Sequence, residues 1–119
     1  MDTLKKETLK AAGVDVENAL ERFMGKEDFL ERMLKKFAAD TNYAKLAEAV
    51  GKKDPESALQ ASHTLKGMCG NLSITSLIPL FTRQVELLRA EEYEEAYGMM
   101  EEISRTYDQV QKAVAALSE

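Results

Sequence analysis

The segment that decides the fold is residues 54–72, which read DPESALQASHTLKGMCGNL. Asp54 and Pro55 form the clearest helix start in the chain. An aspartate accepts a hydrogen bond from a free first-turn N–H, and a proline is preorganised for the first helical position. The next proline is Pro79. The segment therefore predicts a helix over about 55–71.

The two sides of this predicted helix differ sharply when its residues are placed at ~100° intervals. The small and apolar side chains gather on one side, which must face the core; they are Ala58, Ala61, Ser62, Leu65, Met68, Cys69 and Leu72. His63 points to the opposite side, towards solvent. Its neighbours there are Gln60, Lys66, Gly67 and Gly70, with Leu59 at the edge as a candidate for an apolar docking patch.

The two glycines beside His63 are unusual on an exposed helix surface, which normally carries charged side chains. Each glycine costs about 1 kcal/mol relative to alanine in a helix interior. Their missing side chains clear space beside the imidazole, and Lys66 brings a cation one turn away. A neutral imidazole is a competent nucleophile, and a lysine can neutralise the oxygens of a phosphoryl group. The pattern predicts a site for a group that carries negative charge.

The rest of the chain also predicts helices, because it is rich in Ala, Leu, Glu, Lys and Met and has no alternating β-branched runs. Asp15 is expected to cap the second helix, and Ser73 or Thr75 the helix that contains Pro79. The short connections favour an antiparallel up-down bundle. The interpretation is an all-α fold forming a single domain over residues 1–119, with further helices over about 4–12, 16–24, 27–39, 42–51, 76–90 and 92–117.

Composition excludes several classes of protein. The formal net charge is −5, with 16 Lys and Arg against 21 Asp and Glu, which argues against a nucleic-acid binder. One cysteine and one histidine exclude an internal disulfide and the common cysteine and histidine metal sites. No segment has the pattern of a membrane span, a signal peptide or a nucleotide-binding loop. We therefore expect a cytoplasmic protein with no metal site and no membrane association.

The motif around His63 resembles the H-x-x-K-G signature of histidine-containing phosphotransfer (HPt) domains. It reads ASHTLKG over residues 61–67 and continues with GNL over residues 70–72. The flanks are also similar, since residues 13–23 look like the family's N-terminal helix and residues 89–96 like the turn before its last helix. The resemblance covers about residues 13–117 and implies a four-helix bundle with additional short N-terminal helices.

The resemblance implies that His63 accepts a phosphoryl group from a receiver-domain aspartate and passes it to an aspartate on another receiver. Lys66 would be the charge partner, and Gly67 together with Gly70 would give clearance. A polar residue of the next helix often supports the histidine in this family, and Gln84 and Arg83 both lie near that place. Gln60 is a further candidate for support. Ser73 departs from the family's usual glycine, which puts the turn geometry in doubt.

The resemblance further implies a phosphocarrier rather than a stand-alone enzyme. Its partners would be receiver domains of response regulators or hybrid histidine kinases, and the Mg²⁺ ion would sit on the receiver, so no cofactor is expected here. One reactive histidine per bundle is enough, so we expect a monomer.

Two alternatives stay open at this point. The chain could be an HPt-like docking module that uses His63 only as a contact. It could also be the dimerisation and phosphoacceptor part of a sensor kinase, although the proline expected shortly after the histidine is missing.

Overall fold

A computed structural model describes all of residues 1–119, and it contains helices and no strand. The all-α prediction is confirmed. Eight α-helices and a final 3₁₀ turn follow one another along the chain. They are α1 (Thr3–Ala11), α2 (Val16–Arg22), α3 (Glu27–Ala39), α4 (Asn42–Gly51), α5 (Pro55–Asn71), α6 (Ile78–Arg89), α7 (Tyr93–Gly98) and α8 (Met100–Ala115), with the 3₁₀ turn at Ala116–Ser118.

The helix that carries His63 lies between two others. Helix α5 packs against α4 on one flank and against α6 on the other, and these are the most extensive contacts in the molecule. Helix α6 also packs on α7, while α3 and α1 pack on α8. Every α-helix contributes at least one side chain to a single apolar core, and no helix is both long and apolar enough to cross a membrane.

The start of α5 is built as predicted. The backbone N–H of Ser57 donates to Asp54 Oδ1 at 3.2 Å, and Pro55 occupies the first turn. Hydrogen bonds from the Ser57 side chain and backbone lower the pKa of the Asp54 carboxyl. Asp15 caps α2 in the same way, accepting from the N–H of Asn18 at 3.1 Å. Both cap predictions are confirmed.

The start of α6 differs from the prediction. Neither Ser73 nor Thr75 caps it; the helix begins at Ile78 after Leu77, with no side-chain cap, and Pro79 lies in its first turn. The two hydroxyls bond elsewhere. Ser73 Oγ donates to Asn18 Oδ1 at 2.6 Å, and Thr75 Oγ1 donates to the carbonyl of Gly13 at 3.0 Å. They therefore join the loop before α6 to the N-terminal helices.

The last helix also differs from the single element predicted over about 92–117. It is divided at Met99 into α7 and α8, and its end tightens into a 3₁₀ turn. Glycine is a poor helix former, and Gly98 is the last residue of α7. The apolar spacing of three and four residues continues across the break, so the sequence pattern alone did not indicate it.

Candidate functional site

His63 lies in the middle of α5, and its side chain is exposed to solvent. Gly67 is exposed and Gly70 is half-buried. A Cβ atom placed on either glycine would meet nothing within 4 Å. Neither glycine is therefore there to let another part of this chain pack closely. The space beside the imidazole is open to another molecule.

The charged neighbour, Lys66, is half-buried and belongs to none of the ion pairs in the structure. Residues three apart on a helix are neighbours at its surface, with Cβ atoms about 5–6 Å apart. The ammonium is thus free to interact with a negatively charged group near the ring.

The opposite side of α5 is buried in the core. Ser62 and Cys69 are fully buried, and burial raises the pKa of the Cys69 thiol to about 12. A thiol with so high a pKa is unreactive, because the thiolate is the nucleophilic form. Cys69 therefore belongs to the core, as its position in the apolar stripe predicted.

The polar residues considered as supports for His63 lie in three different places. Gln84 is fully buried, and its Oε1 accepts a hydrogen bond from Ser62 Oγ at 2.8 Å. Arg83 is exposed and pairs with Glu86 at 3.9 Å and Glu95 at 3.6 Å. Gln60 is exposed, and its backbone carbonyl accepts from Thr64 Oγ1 at 3.0 Å. Gln84 is thus bonded to the residue before the histidine, on the inner side of α5, and makes no hydrogen bond to the ring.

Comparison with known protein families gives one match, to the Hpt domain, over residues 26–118. This match includes most of the chain and the whole of α5. The chain belongs to the Hpt domain family. No curated protein and no solved structure gives a significant match. The match begins at residue 26, so the resemblance suggested for residues 13–23 lies outside it.

Hpt domains are phosphocarrier modules of phosphorelay signalling. A polar groove lies between α4 and α5 on one flank of the histidine. Its α5 wall includes Ser57, Gln60 and Thr64, and its α4 wall includes Lys45 and Glu48. This groove offers hydrogen-bonding groups and both signs of charge.

An apolar groove of about 570 Å³ lies further along the same flank of this Hpt domain. His63, Gly67 and Asn71 are spaced by four residues and form a row along α5, and Asn71 lines the groove. The row therefore leads from the imidazole to the groove. Its apolar lining consists of Phe23, Phe29, Met33, Phe37, Met68 and Leu72.

The sequence did not indicate this groove, because the spacing of Phe29 and Met33 on α3 also fits a stripe of side chains that face the core. Phe29 is instead 36% exposed, packs edge-on against Phe23 at 5.2 Å and lies under the guanidinium of Arg32. Leu59, which was the candidate for a docking patch, is half-buried and packs against the core. One signal was available in the sequence. Phe29, Arg32 and Lys36 are three and four residues apart, so they share one side of the helix, and the two charged residues indicate that this side borders solvent.

Proposed function

We propose that this Hpt domain carries a phosphoryl group on His63 between aspartates of receiver domains in a two-component phosphorelay. The observation that carries the proposal is the exposed imidazole with open space at Gly67 and Gly70. A transfer between two proteins requires the reacting atoms to approach to about 3 Å, which a crowded helix surface would prevent. Family membership supplies the reaction class.

In the proposed reaction a ring nitrogen of His63 attacks the phosphorus of an aspartyl phosphate. The N–P bond forms as the bond between phosphorus and the aspartate oxygen breaks, and the electron pair leaves with the carboxylate. The other ring nitrogen keeps its proton. Lys66 reduces the charge repulsion around the transferring oxygens. The receiver would supply its own Mg²⁺, so the chain is a phosphocarrier rather than a stand-alone enzyme.

The receiver is proposed to dock on the flank of α5 that faces α3 and α4. The apolar groove at the end of the His63 row would supply buried contact area, and the polar groove beside Gln60 and Thr64 would supply hydrogen bonds. Arg22, Lys36 and Asp40 line the apolar groove and leave a net positive charge there, which suits the acidic aspartate site of a receiver. Contacts of these two kinds are typical of transient signalling interfaces.

The finer architecture is part of the same proposal. Helices α3 and α4 can be taken together as one bent rod, and α7 and α8 as another. With α5 and α6 as single rods, the molecule then has four rods. Helix contacts join α4 to α5, α5 to α6, α6 to α7 and α3 to α8, which makes a closed ring. With short connections this ring corresponds to an antiparallel four-helix bundle that α1 and α2 extend. We further propose that the protein acts as a monomer in the cytoplasm.

The decisive experiment is phosphotransfer from receiver domains that carry ³²P on aspartate. We expect label to appear on the wild-type chain in an acid-labile, base-stable form, which is typical of phosphohistidine. His63→Gln should receive no label. Gln109→Glu, an exposed change on α8, is the control and should be labelled like the wild type.

Two outcomes would contradict the proposal. Label that persists in His63→Gln would place the phosphoryl group elsewhere. If no receiver of the source organism transfers label, yet one binds wild type and His63→Ala equally, the chain is a docking module without chemistry.

A further inference from the structure

A buried polar cluster that includes Ser62, the residue before His63, links α5 to α6, α7 and α8. Ser62 and Gln84 are both 0% exposed, and Ser62 Oγ donates to Gln84 Oε1 at 2.8 Å. Gln84 Nε2 donates to the carbonyl of Ala96 at 3.1 Å and lies 3.5 Å from Met100 Sδ. Every hydrogen-bonding atom of the Gln84 amide thus has a partner.

Stability alone does not explain this cluster. A satisfied buried polar group contributes little net free energy, and apolar side chains of similar shape often serve as well or better. Leucine is close to glutamine in size and would extend the apolar face of α6, which buries Phe81, Val85, Leu87 and Leu88. What a hydrogen bond adds is direction, because it weakens quickly when its atoms shift.

The inner face of α5 explains why direction is needed there. Its buried residues are Ala58, Ala61, Ser62, Leu65 and Cys69, of which only Leu65 is large, while the larger Leu59 and Met68 pack against the core at the edges of this face. Small side chains make shallow ridges, and ridges that interlock weakly define the axial position of a helix poorly. The hydrogen bond from Ser62 adds a directional contact between α5 and α6 that this packing does not supply.

From this arrangement we propose that Gln84 is a positioning residue for phosphotransfer. It fixes the register of α5 through Ser62, and thereby the position of the His63 imidazole along the axis of the bundle. The inference rests on the proposed function. A receiver presents its aspartate from a rigid domain, so an error of about 1 Å in the position of the ring can slow the reaction roughly 100-fold. A small phosphoryl donor diffuses freely and can reach the ring in any position, so its reaction should not depend on the register of α5.

The test is the double variant Ser62→Ala/Gln84→Leu, which removes both partners and leaves no buried group unpaired between them. The carbonyl of Ala96 keeps the N–H of Met99 as a donor at 3.3 Å. We expect the denaturation midpoint to equal or exceed that of the wild type, and single-turnover transfer from a saturating phosphorylated receiver to fall roughly 10-fold or more. Phosphorylation by phosphoramidate, whose P–N bond breaks with release of ammonia, should keep the wild-type rate.

The control is Gln111→Leu, a change of the same kind away from α5. Gln111 is half-buried, and its Nε2 donates to the carbonyl of Ala38 at 3.0 Å and to Tyr107 Oη at 3.1 Å. Its transfer rate from the receiver should equal that of the wild type. Hydrogen exchange supplies a second readout, with faster exchange of the α5 amides expected in the double variant only.

The inference is overturned if the folded double variant accepts phosphoryl groups from the receiver at the wild-type rate. It is also overturned if phosphoramidate and receiver transfer slow equally, since that would be a defect of the ring's surroundings and not of register. If the wild type itself accepts nothing from a receiver, the proposed function fails. Hydrogen exchange then decides the register claim, and equal protection of α5 in both proteins refutes it.

Discussion

The residues around His63 are notable for the side chains they lack. Gly67 and Gly70 stand in the interior of α5, where each costs about 1 kcal/mol relative to alanine. A Cβ atom added at either position would meet no other part of this chain within 4 Å. Filling that space would stabilise the isolated protein, so the explanation for the glycines lies outside it. A visiting receiver is the explanation consistent with the exposed histidine.

Substitution of Gly67 should change the free energy of unfolding and the rate of phosphotransfer in opposite directions. We expect Gly67→Leu to fold and to raise the free energy of unfolding by about 0.5–1 kcal/mol, because leucine is the better helix former and its Cβ atom would meet nothing within 4 Å. The same side chain would stand beside the imidazole, so transfer from a phosphorylated receiver should fall roughly 10- to 100-fold. Chemical denaturation and single-turnover phosphotransfer measure the two effects.

The matched control is Gly98→Leu. Gly98 also lies in a helix, and a Cβ atom there also meets nothing within 4 Å, but it belongs to α7. Its transfer rate should stay at the wild-type value. Undiminished transfer in Gly67→Leu would remove the argument that the glycine provides clearance.

At the scale of elements, the link between α1 and α2 is locked onto the loop before α6. Gly13 has a φ of +92°, and a Cβ atom there would overlap with the side chain of Ser76. Ser76 in turn donates from its backbone N–H to the Gly13 carbonyl at 3.1 Å, and from Oγ to the carbonyl of Ala12 at 2.9 Å. Gly13 is therefore required both for its backbone angle and for close approach.

We expect Gly13→Ala to lower the free energy of unfolding by about 2–4 kcal/mol. The left-handed backbone contributes about 1 kcal/mol, and the overlap with Ser76 adds the cost of overpacking. Gly25→Ala is the matched variant, because Gly25 has a φ of +77° with nothing within 4 Å, and it should lose only about 1 kcal/mol. Denaturation midpoints compare the two. Equal losses would mean that the contact with Ser76 contributes nothing.

Local signals in the sequence predicted the helices well, and long-range contacts account for the errors. The cap at Asp54 and the stripe on α5 are visible within one helical turn or two, so α5 was placed correctly. The local pattern predicts Ser73 or Thr75 as a helix cap, but their hydroxyls bond to Asn18 and Gly13, which are distant in the sequence. Ser73 also adopts a φ of 54°, which agrees with the glycine common at this place in the family.

The same distinction applies to the candidate site. The exposure of His63 and the clearance at Gly67 follow from the position of each residue on one helix, so the sequence could indicate them. The bond between Ser62 and Gln84 joins two helices, and its geometry depends on how those helices pack. For the same reason, the sequence alone could not show which of Gln84 and Arg83 faces α5 as a support for His63.

On the scale of the whole molecule, the family match covers fewer residues than the hydrophobic core does. The match begins at residue 26, but α1, α2 and the link between them contribute to the same core. Leu9, Val14 and Val16 are at most 2% exposed. Burial of each such side chain contributes about 1.5–3 kcal/mol, so the three together contribute roughly 5–9 kcal/mol. That is comparable to the entire stability of a small domain, about 5–15 kcal/mol.

Deletion of residues 1–25 should therefore abolish cooperative unfolding, although every residue of the H-x-x-K-G motif remains. We expect the truncated chain to keep helical signal in far-ultraviolet circular dichroism but to lose its sharp thermal transition, since the exposed side of the core can no longer pack. Leu9→Ala should show a smaller effect of the same sign, about 2–5 kcal/mol. Leu4→Ser, at a side chain 75% exposed on the same helix, should leave the transition unchanged. A truncated chain that melts as sharply and at the same temperature as the full chain would show that α1 and α2 are an appendage, and the domain would then begin where the family match begins.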